Sequence, residues 1–194
     1  MPDQSSVPNY AGAIAHALNR LRHELPGVLT YHNLYHTEQD VMPAALRLAR
    51  CYRLDEDEIH LLQVAAAYHD TGYIEAYTGH ELASARILSE ALPGYHFSAQ
   101  QIERLVNLIL ATRLPQSPDN LLEEILVDAD LDVLGREDFF EQNEALRNEV
   151  LALGKEVSKE EWVRGQVRFV SGHRYFTEEE REKIMGRITP TTGL

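Results

Sequence analysis

The residue pair His69-Asp70 follows an apolar run, residues 61–68, that is suited to a buried helix. An imidazole and a carboxylate buried without partners would cost roughly several kcal/mol, so a polar partner or a metal must satisfy them. Candidate partners lie upstream in Tyr31–His36 and downstream in Asp128–Asp132. Two imidazoles and two carboxylates from separate helices suit a hard or borderline divalent cation. The pattern therefore predicts a metal-dependent hydrolase.

The four candidate ligands lie near the ends of predicted helices, and they are His36, His69, Asp70 and Asp130. Neighbouring residues on a regular helix point about 100° apart, so an adjacent pair can face one point only where the helix ends. The Thr71-Gly72 break supplies such an end for the His-Asp pair. Asp128 remains an alternative to Asp130, because Asp128-Ala129-Asp130 permits a shift of two residues.

Capping signals and apolar periodicity predict an all-α protein of eight or nine helices in one compact bundle. No segment shows the alternation of a strand. Capping boxes begin at Thr78, Ser98, Ser158 and Thr177. Further helices are predicted over 11–23, 37–52, 56–68, 121–127 and from about 137 to Gly154, with Asp119 as a cap. Pro43 should kink the second of these helices or displace its start.

The composition is that of a globular protein, with 44% apolar and 25% charged residues. The net charge of −13 argues against duplex nucleic acid and anionic membranes as partners. The single cysteine, Cys51, excludes a disulfide framework and a cysteine zinc site, and we expect it to pack in a helix. No run reaches about 18 apolar residues, and the first residues do not form a signal peptide, so we expect a cytoplasmic protein.

An anionic substrate of so acidic a chain needs local positive charge, from a metal or a few arginines. Arg113 follows the helix that begins near Ser98, and it is a candidate phosphate contact. His80, at the start of another predicted helix, is a candidate pocket residue. Trp162 and Phe169, seven residues apart on one helix, are expected in the core.

The ordered set His36, His69-Asp70 and Asp130 resembles the H…HD…D signature of the HD-domain superfamily of metal-dependent phosphohydrolases. The resemblance covers about residues 30–135, and Val170–Thr177 is also similar to bacterial members of unassigned substrate. It implies one HD domain over 1–194, an all-α bundle. Its core would span about 30–135, with C-terminal helices over about 137–188 packed on it.

The resemblance also implies roles for individual residues. His36, His69, Asp70 and Asp130 would hold one divalent ion (Mn, Fe, Ni, Co, Zn or Mg), and Asp70 would also orient the attacking water. Tyr31-His32-Asn33-Leu34-Tyr35-His36 matches the Y-H-N-x-x-H motif of the cyclic nucleotide phosphodiesterase branch. The first histidine of that motif is the general acid, which implies that His32 protonates the leaving oxygen. An unperturbed histidine pKa of about 6.5 suits this role.

Two departures from the family limit what the resemblance implies. Binuclear members such as the HD-GYP proteins use two further histidines, and here His80 could supply one, but residues 110–114 contain none. A second metal is therefore doubtful. Neither Gln142 nor Gln166 has the context of the purine-clamping glutamine, so cyclic nucleotide specificity is not carried over.

The sequence thus predicts hydrolysis of a phosphomonoester or phosphodiester, of nucleotide type, by a metal-activated water. One alternative is a catalytically idle HD module that binds a nucleotide or a metal as a sensor or scaffold. Another is an alarmone pyrophosphohydrolase. The sequence lacks the HD-x-x-E-D motif of alarmone pyrophosphohydrolases, because Thr71-Gly72-Tyr73-Ile74 follows the His-Asp pair.

Overall fold

The computed structural model describes residues 7–188, with side chains to residue 183. In this range the chain forms nine α-helices and no strand, which confirms the all-α prediction. The helices are α1 (Tyr10–Glu24), α2 (Met42–Cys51), α3 (Glu56–Tyr68), α4 (His80–Ala91), α5 (Ala99–Ala111), α6 (Leu121–Asp130), α7 (Phe139–Ala152), α8 (Lys159–Gly172) and α9 (Glu178–Ile188). The ends of the expected domain, 1–6 and 189–194, lie outside the described residues. Among the described residues, no helix is long and apolar enough to cross a membrane.

Helix α3 lies at the centre of the bundle and packs against α1, α2 and α5. The Asp55 carboxylate caps its start by accepting a hydrogen bond from the Glu58 N–H. The apolar residues of 61–68 are 0–2% exposed, and each large one stabilises the fold by about 1.5–3 kcal/mol on burial. Burial on all sides fixes the position of the helix end, and therefore the position of His69.

The segment before α2 forms a π-helical turn, His36–Val41, which runs directly into the α-helix. Pro43 lies in the first turn of α2, where its missing N–H is tolerated. The proline therefore displaces the start of the α-helix, as predicted. The wider turn buries His36, Thr37 and Asp40, and interruptions of this kind occur often at functional sites.

Gly72 lies where a short 3₁₀ turn, Thr71–Ile74, passes against the start of α4. A Cβ atom at Gly72 would be 1.9 Å from the carbonyl oxygen of His80, so only glycine fits. The Gly72 N–H also donates to the Ser84 Oγ at 2.7 Å. This close approach brings the residues after Asp70 against His80.

Several predicted helix boundaries hold, and three differ. The capping boxes at Ser98 and Ser158 are confirmed. Thr78 does not cap α4, because Gly79 adopts a left-handed conformation (φ +76°) as the cap residue. Asn120 rather than Asp119 caps α6. That helix continues to Asp130, three residues beyond its predicted end.

The C-terminal helices are less buried than predicted. Helix α8 has no buried residue, and Trp162 and Phe169 are half-buried, so their placement in the core is wrong. The Trp162 Nε1–H donates to the Asn143 Oδ1 at 2.8 Å. Cys51 is exposed at the end of α2, so the prediction that it packs is also wrong. Within the described part of the chain, the elements that contact α8 cover Trp162 and Phe169 only in part.

Candidate metal centre

Three elements bring a histidine-carboxylate cluster together. His36 lies on the π-helical turn, His69 follows α3, and Asp130 ends α6. Ligand atoms of these three residues lie within 4.8 Å of one another. The Nε2 atoms of His36 and His69 are each 3.4 Å from the Asp130 Oδ1. The Asp70 Oδ2 is 3.2 Å from the His69 Nε2 and 3.7 Å from the His36 Nε2.

The polar atoms of this cluster lack the partners that burial requires. His69 is 1% exposed, and its Nδ1–H donates to the Ala66 carbonyl at 2.7 Å. That bond directs the Nε2 lone pair toward the cluster. Among the described residues, the buried His69 Nε2 and Asp70 Oδ2 have no hydrogen-bond partner. Imidazole nitrogen and carboxylate oxygen are suitable ligands for Mn, Fe, Ni, Co or Zn, so the residues present fit a divalent ion.

The electrostatics of the cluster favour a bound cation. Burial lowers the pKa of His36, but the interactions with Asp130, Asp40 and Asp70 together outweigh it and raise the pKa to about 9. The pKa of His69 is also raised, because Asp70 and Asp130 together outweigh burial. Burial raises the pKa of Asp70, but the charge of His69 holds it well below its usual range. The carboxylates that hold protons on the imidazoles would equally attract a divalent ion, whose binding displaces those protons.

Asp128 and Asp130 lie on different sides of α6 and have different partners. The buried Asp128 carboxylate accepts hydrogen bonds from the Phe176 N–H at 3.0 Å, the Thr177 N–H at 2.7 Å and the Thr177 hydroxyl at 2.6 Å. It therefore anchors the segment before α9. Asp130, not Asp128, lies in the metal-type cluster.

This difference predicts opposite effects of two alanine substitutions. We expect Asp128→Ala to lower the free energy of unfolding by about 2–4 kcal/mol, because three buried donors lose their charged acceptor. Its metal content should stay unchanged. We expect Asp130→Ala to lose metal with a smaller loss of stability. Thermal melts with chelator and metal analysis after gel filtration measure the two effects, and the reverse pattern would contradict the assignment.

His32 lies beside the cluster and is held by Glu149 of α7. Its Nδ1–H donates to the Glu149 Oε1 at 2.5 Å, and the N–H groups of Tyr31 and His32 donate to Oε2 at 2.9 Å. Glu149 is 0% exposed. Burial raises its pKa, but the contact with His32 and the two backbone N–H groups together outweigh burial and lower it, so the carboxylate stays ionised. Glu149 was not identified from the sequence, because its neighbours on α7 include exposed glutamates such as Glu141 and Glu144.

Stacked rings fix the orientation of His32 and His80. The Tyr73 ring contacts both, with centroid separations of 4.4 Å to His32 and 3.9 Å to His80. The His80 Nε2 is 3.6 Å from the Asp70 Oδ1. His80 therefore reaches the cluster through the Asp70 oxygen that does not face His36 and His69. Tyr73 was not identified from the sequence, because a tyrosine in a short turn has no distinctive pattern.

Two arginines differ in how they relate to the cluster, and a phosphate contact by Arg113 stays a prediction. Arg113 is exposed after the end of α5. Among the described residues its side chain forms no hydrogen bond or ion pair, and nothing links it to the cluster. Arg136, which the sequence did not indicate, binds both Asp40 and Asp138. Asp40 in turn lies 3.8 Å from the His36 Nδ1.

Comparison with known proteins gives one clear likeness. No family model matches the chain, and no curated protein is similar enough to match it. Among solved structures, a predicted HD superfamily hydrolase from an uncultured Thermotogales bacterium matches with a TM-score of 0.58 and 24% identity. The match covers 90% of this chain and 84% of the other. The all-α bundle that brings His36, His69-Asp70 and Asp130 together therefore shares its fold with that protein.

Proposed function

We propose that this protein is a metal-dependent phosphohydrolase that cleaves a phosphomonoester or phosphodiester, of nucleotide type. The observation that carries the proposal is the convergence of two imidazoles and two carboxylates from three elements, with buried ligand atoms left unsatisfied. Their order along the chain is that of the HD signature. The protein with the same fold is described as a hydrolase, which agrees with this proposal.

His36, His69, Asp70 and Asp130 would hold the metal. When bound, a divalent ion would polarise a phosphoryl oxygen and acidify a water molecule. Asp70 has one oxygen toward the histidine ligands and the other toward His80. The second oxygen can accept a hydrogen bond from the attacking water and orient it. This arrangement gives Asp70 two roles, as ligand and as positioning group.

His32 is suited to donate a proton to the leaving oxygen. Its Nδ1–H is bound to Glu149, which leaves Nε2 to face away from that carboxylate. Its ring stacks on Tyr73 and lies 6.0 Å, between centroids, from the ring of His36. A buried carboxylate behind a histidine fixes the tautomer and the orientation of its ring. His32 can therefore protonate a leaving group at the edge of the metal centre.

An assay with metals and model substrates tests the proposed function. The purified protein is analysed for bound metal and assayed with bis-p-nitrophenyl phosphate and p-nitrophenyl phosphate, with Mn, Ni, Co or Mg added. Nucleotides are then screened for hydrolysis and thermal stabilisation. We expect metal-dependent turnover that the double variant His69→Ala with Asp70→Ala loses. One equivalent of metal without turnover on any substrate would favour the idle binding module.

The proposed acid predicts a dependence on the leaving group. We expect His32→Ala to retain its metal and to lower kcat by about 10²–10⁴-fold for alkyl phosphates, whose leaving oxygens need a proton. The loss should be much smaller for p-nitrophenyl phosphate, because nitrophenolate leaves without protonation. Steady-state rates on both substrates at saturating metal measure this. An equal loss on both would remove the general-acid role.

A further inference from the structure

We propose that Lys155, together with Tyr77, forms an anion subsite at the edge of the metal centre. This subsite would bind a second phosphate group of the substrate, such as that of a nucleoside bisphosphate. The inference rests on the proposed function, because the phosphate to be cleaved would lie at the metal centre. It extends that function by naming the class of substrate.

The backbone holds Lys155 in a defined place after α7. Gly154 follows the helix in a left-handed conformation (φ +82°), and its N–H donates to the Leu151 carbonyl at 3.0 Å. The Lys155 N–H donates to the Val150 carbonyl at 3.2 Å. These two bonds form a Schellman motif, which closes the end of a helix in one geometry. The helix that positions Glu149 against His32 therefore also positions Lys155.

Tyr77 connects this lysine to the proposed site. The Lys155 Nζ lies over the Tyr77 ring, 5.6 Å from its centroid. The Tyr77 ring lies 6.1 Å from the His32 ring and 5.4 Å from the Tyr73 ring, between centroids. Burial and the nearby charge of Glu149 raise the pKa of Tyr77 to about 12, so it stays neutral. The half-buried ring thus contacts both the exposed ammonium group and the rings beside the metal centre.

Lys155 is also a cation available to a ligand in an acidic chain of net charge −13. Near the same site, Arg136 is bound to Asp40 and Asp138, and Arg147 of α7 pairs with Glu144 at 3.4 Å. Within the described residues Lys155 forms no ion pair. A contact with a ring face leaves all three ammonium N–H groups free to donate to an anion.

The position of Lys155 indicates a second anion rather than the reacting phosphate. Among the described residues, Lys155 forms no hydrogen bond or ion pair with the four proposed metal ligands. It is linked to His36 through the rings of Tyr77 and His32, by the contacts at 5.6, 6.1 and 6.0 Å. A substrate with its reacting phosphate beside His36 and His32 would therefore need another acidic group to reach Lys155. A nucleoside monophosphate has no such group, whereas a bisphosphate has one.

Binding of two matched ligands tests the subsite without requiring turnover. Calorimetry with the Mn-loaded protein compares adenosine 5′-monophosphate with adenosine 3′,5′-bisphosphate. We expect the bisphosphate to bind more tightly, and Lys155→Ala to weaken its binding about tenfold or more while monophosphate binding changes less than about twofold. Lys155→Arg should retain the preference. Lys159→Ala removes an exposed cation on the next helix and serves as the matched control.

Each outcome decides the proposal. Equal binding of the two ligands by the unchanged protein overturns it. Equal weakening of both ligands by Lys155→Ala also overturns it, because the lysine would then only support Tyr77. Failure of the proposed function gives a different result, in which p-nitrophenyl phosphate is not hydrolysed although the Lys155-dependent preference persists.

Discussion

His69→Ala is expected to remove tight metal binding and to lower kcat/KM for p-nitrophenyl phosphate by about 10³-fold or more. The His69 ring is fixed by the Ala66 carbonyl, and its Nε2 is directed at the Asp70 and Asp130 oxygens. No other described side chain is placed to supply a nitrogen at that position. The loss should therefore appear first in the metal content and then in the rate.

A histidine outside the cluster gives a matched control. His16 of α1 contacts the Tyr68 hydroxyl through Nδ1 at 2.8 Å, and Tyr68 directly precedes His69. His16→Ala should keep both metal and activity. Asp70→Asn, which leaves no cavity, should lose metal as His69→Ala does and so separates metal loss from unfolding. One equivalent of metal with full turnover in His69→Ala would refute the site.

Local patterns predicted the parts of the structure that neighbouring residues determine. The bounds of α3, 56–68, agree with the prediction, because an Asp55 cap and an apolar run both act within a few residues. The His36, His69, Asp70 and Asp130 set was found because each residue sits at a helix end with a recognisable context. Gly79 shows where local patterns fail, since this glycine, in a left-handed conformation, is the cap residue of α4 in place of the predicted Thr78.

Contacts between distant segments were not predictable in the same way. Glu149 meets His32 across 117 residues, and Arg136 meets Asp40 across 96. Neither residue belongs to a motif, so only the folded chain identifies them. Helix α8 shows the opposite case. The apolar periodicity predicted the helix correctly. The burial of Trp162 and Phe169, however, depends on whether another element covers the helix, which a single sequence does not reveal.

The substitution Glu149→Gln is expected to lower kcat for alkyl phosphates by about 10²–10⁴-fold while the metal content stays unchanged. Both oxygens of Glu149 accept hydrogen bonds, one from the His32 ring and the other from two backbone N–H groups. An amide has one oxygen, so in either orientation its NH₂ group faces a donor. The histidine ring then loses its partner or the backbone turn loses its acceptor. Rates at saturating metal, with thermal melts of the same samples, measure the two effects.

A double-mutant cycle shows whether Glu149 acts through His32. If the carboxylate serves only to orient that ring, Glu149→Gln added to His32→Ala should cause almost no further loss of kcat, because the group it positions is already gone. Glu144→Gln is the matched control, since Glu144 is exposed on the same helix and its contact is with Arg147. Losses that multiply in the double variant would show that Glu149 stabilises the transition state independently of His32. If the losses of kcat in the two single variants are not additive, Glu149 of α7, which lies outside the HD signature, acts by positioning His32.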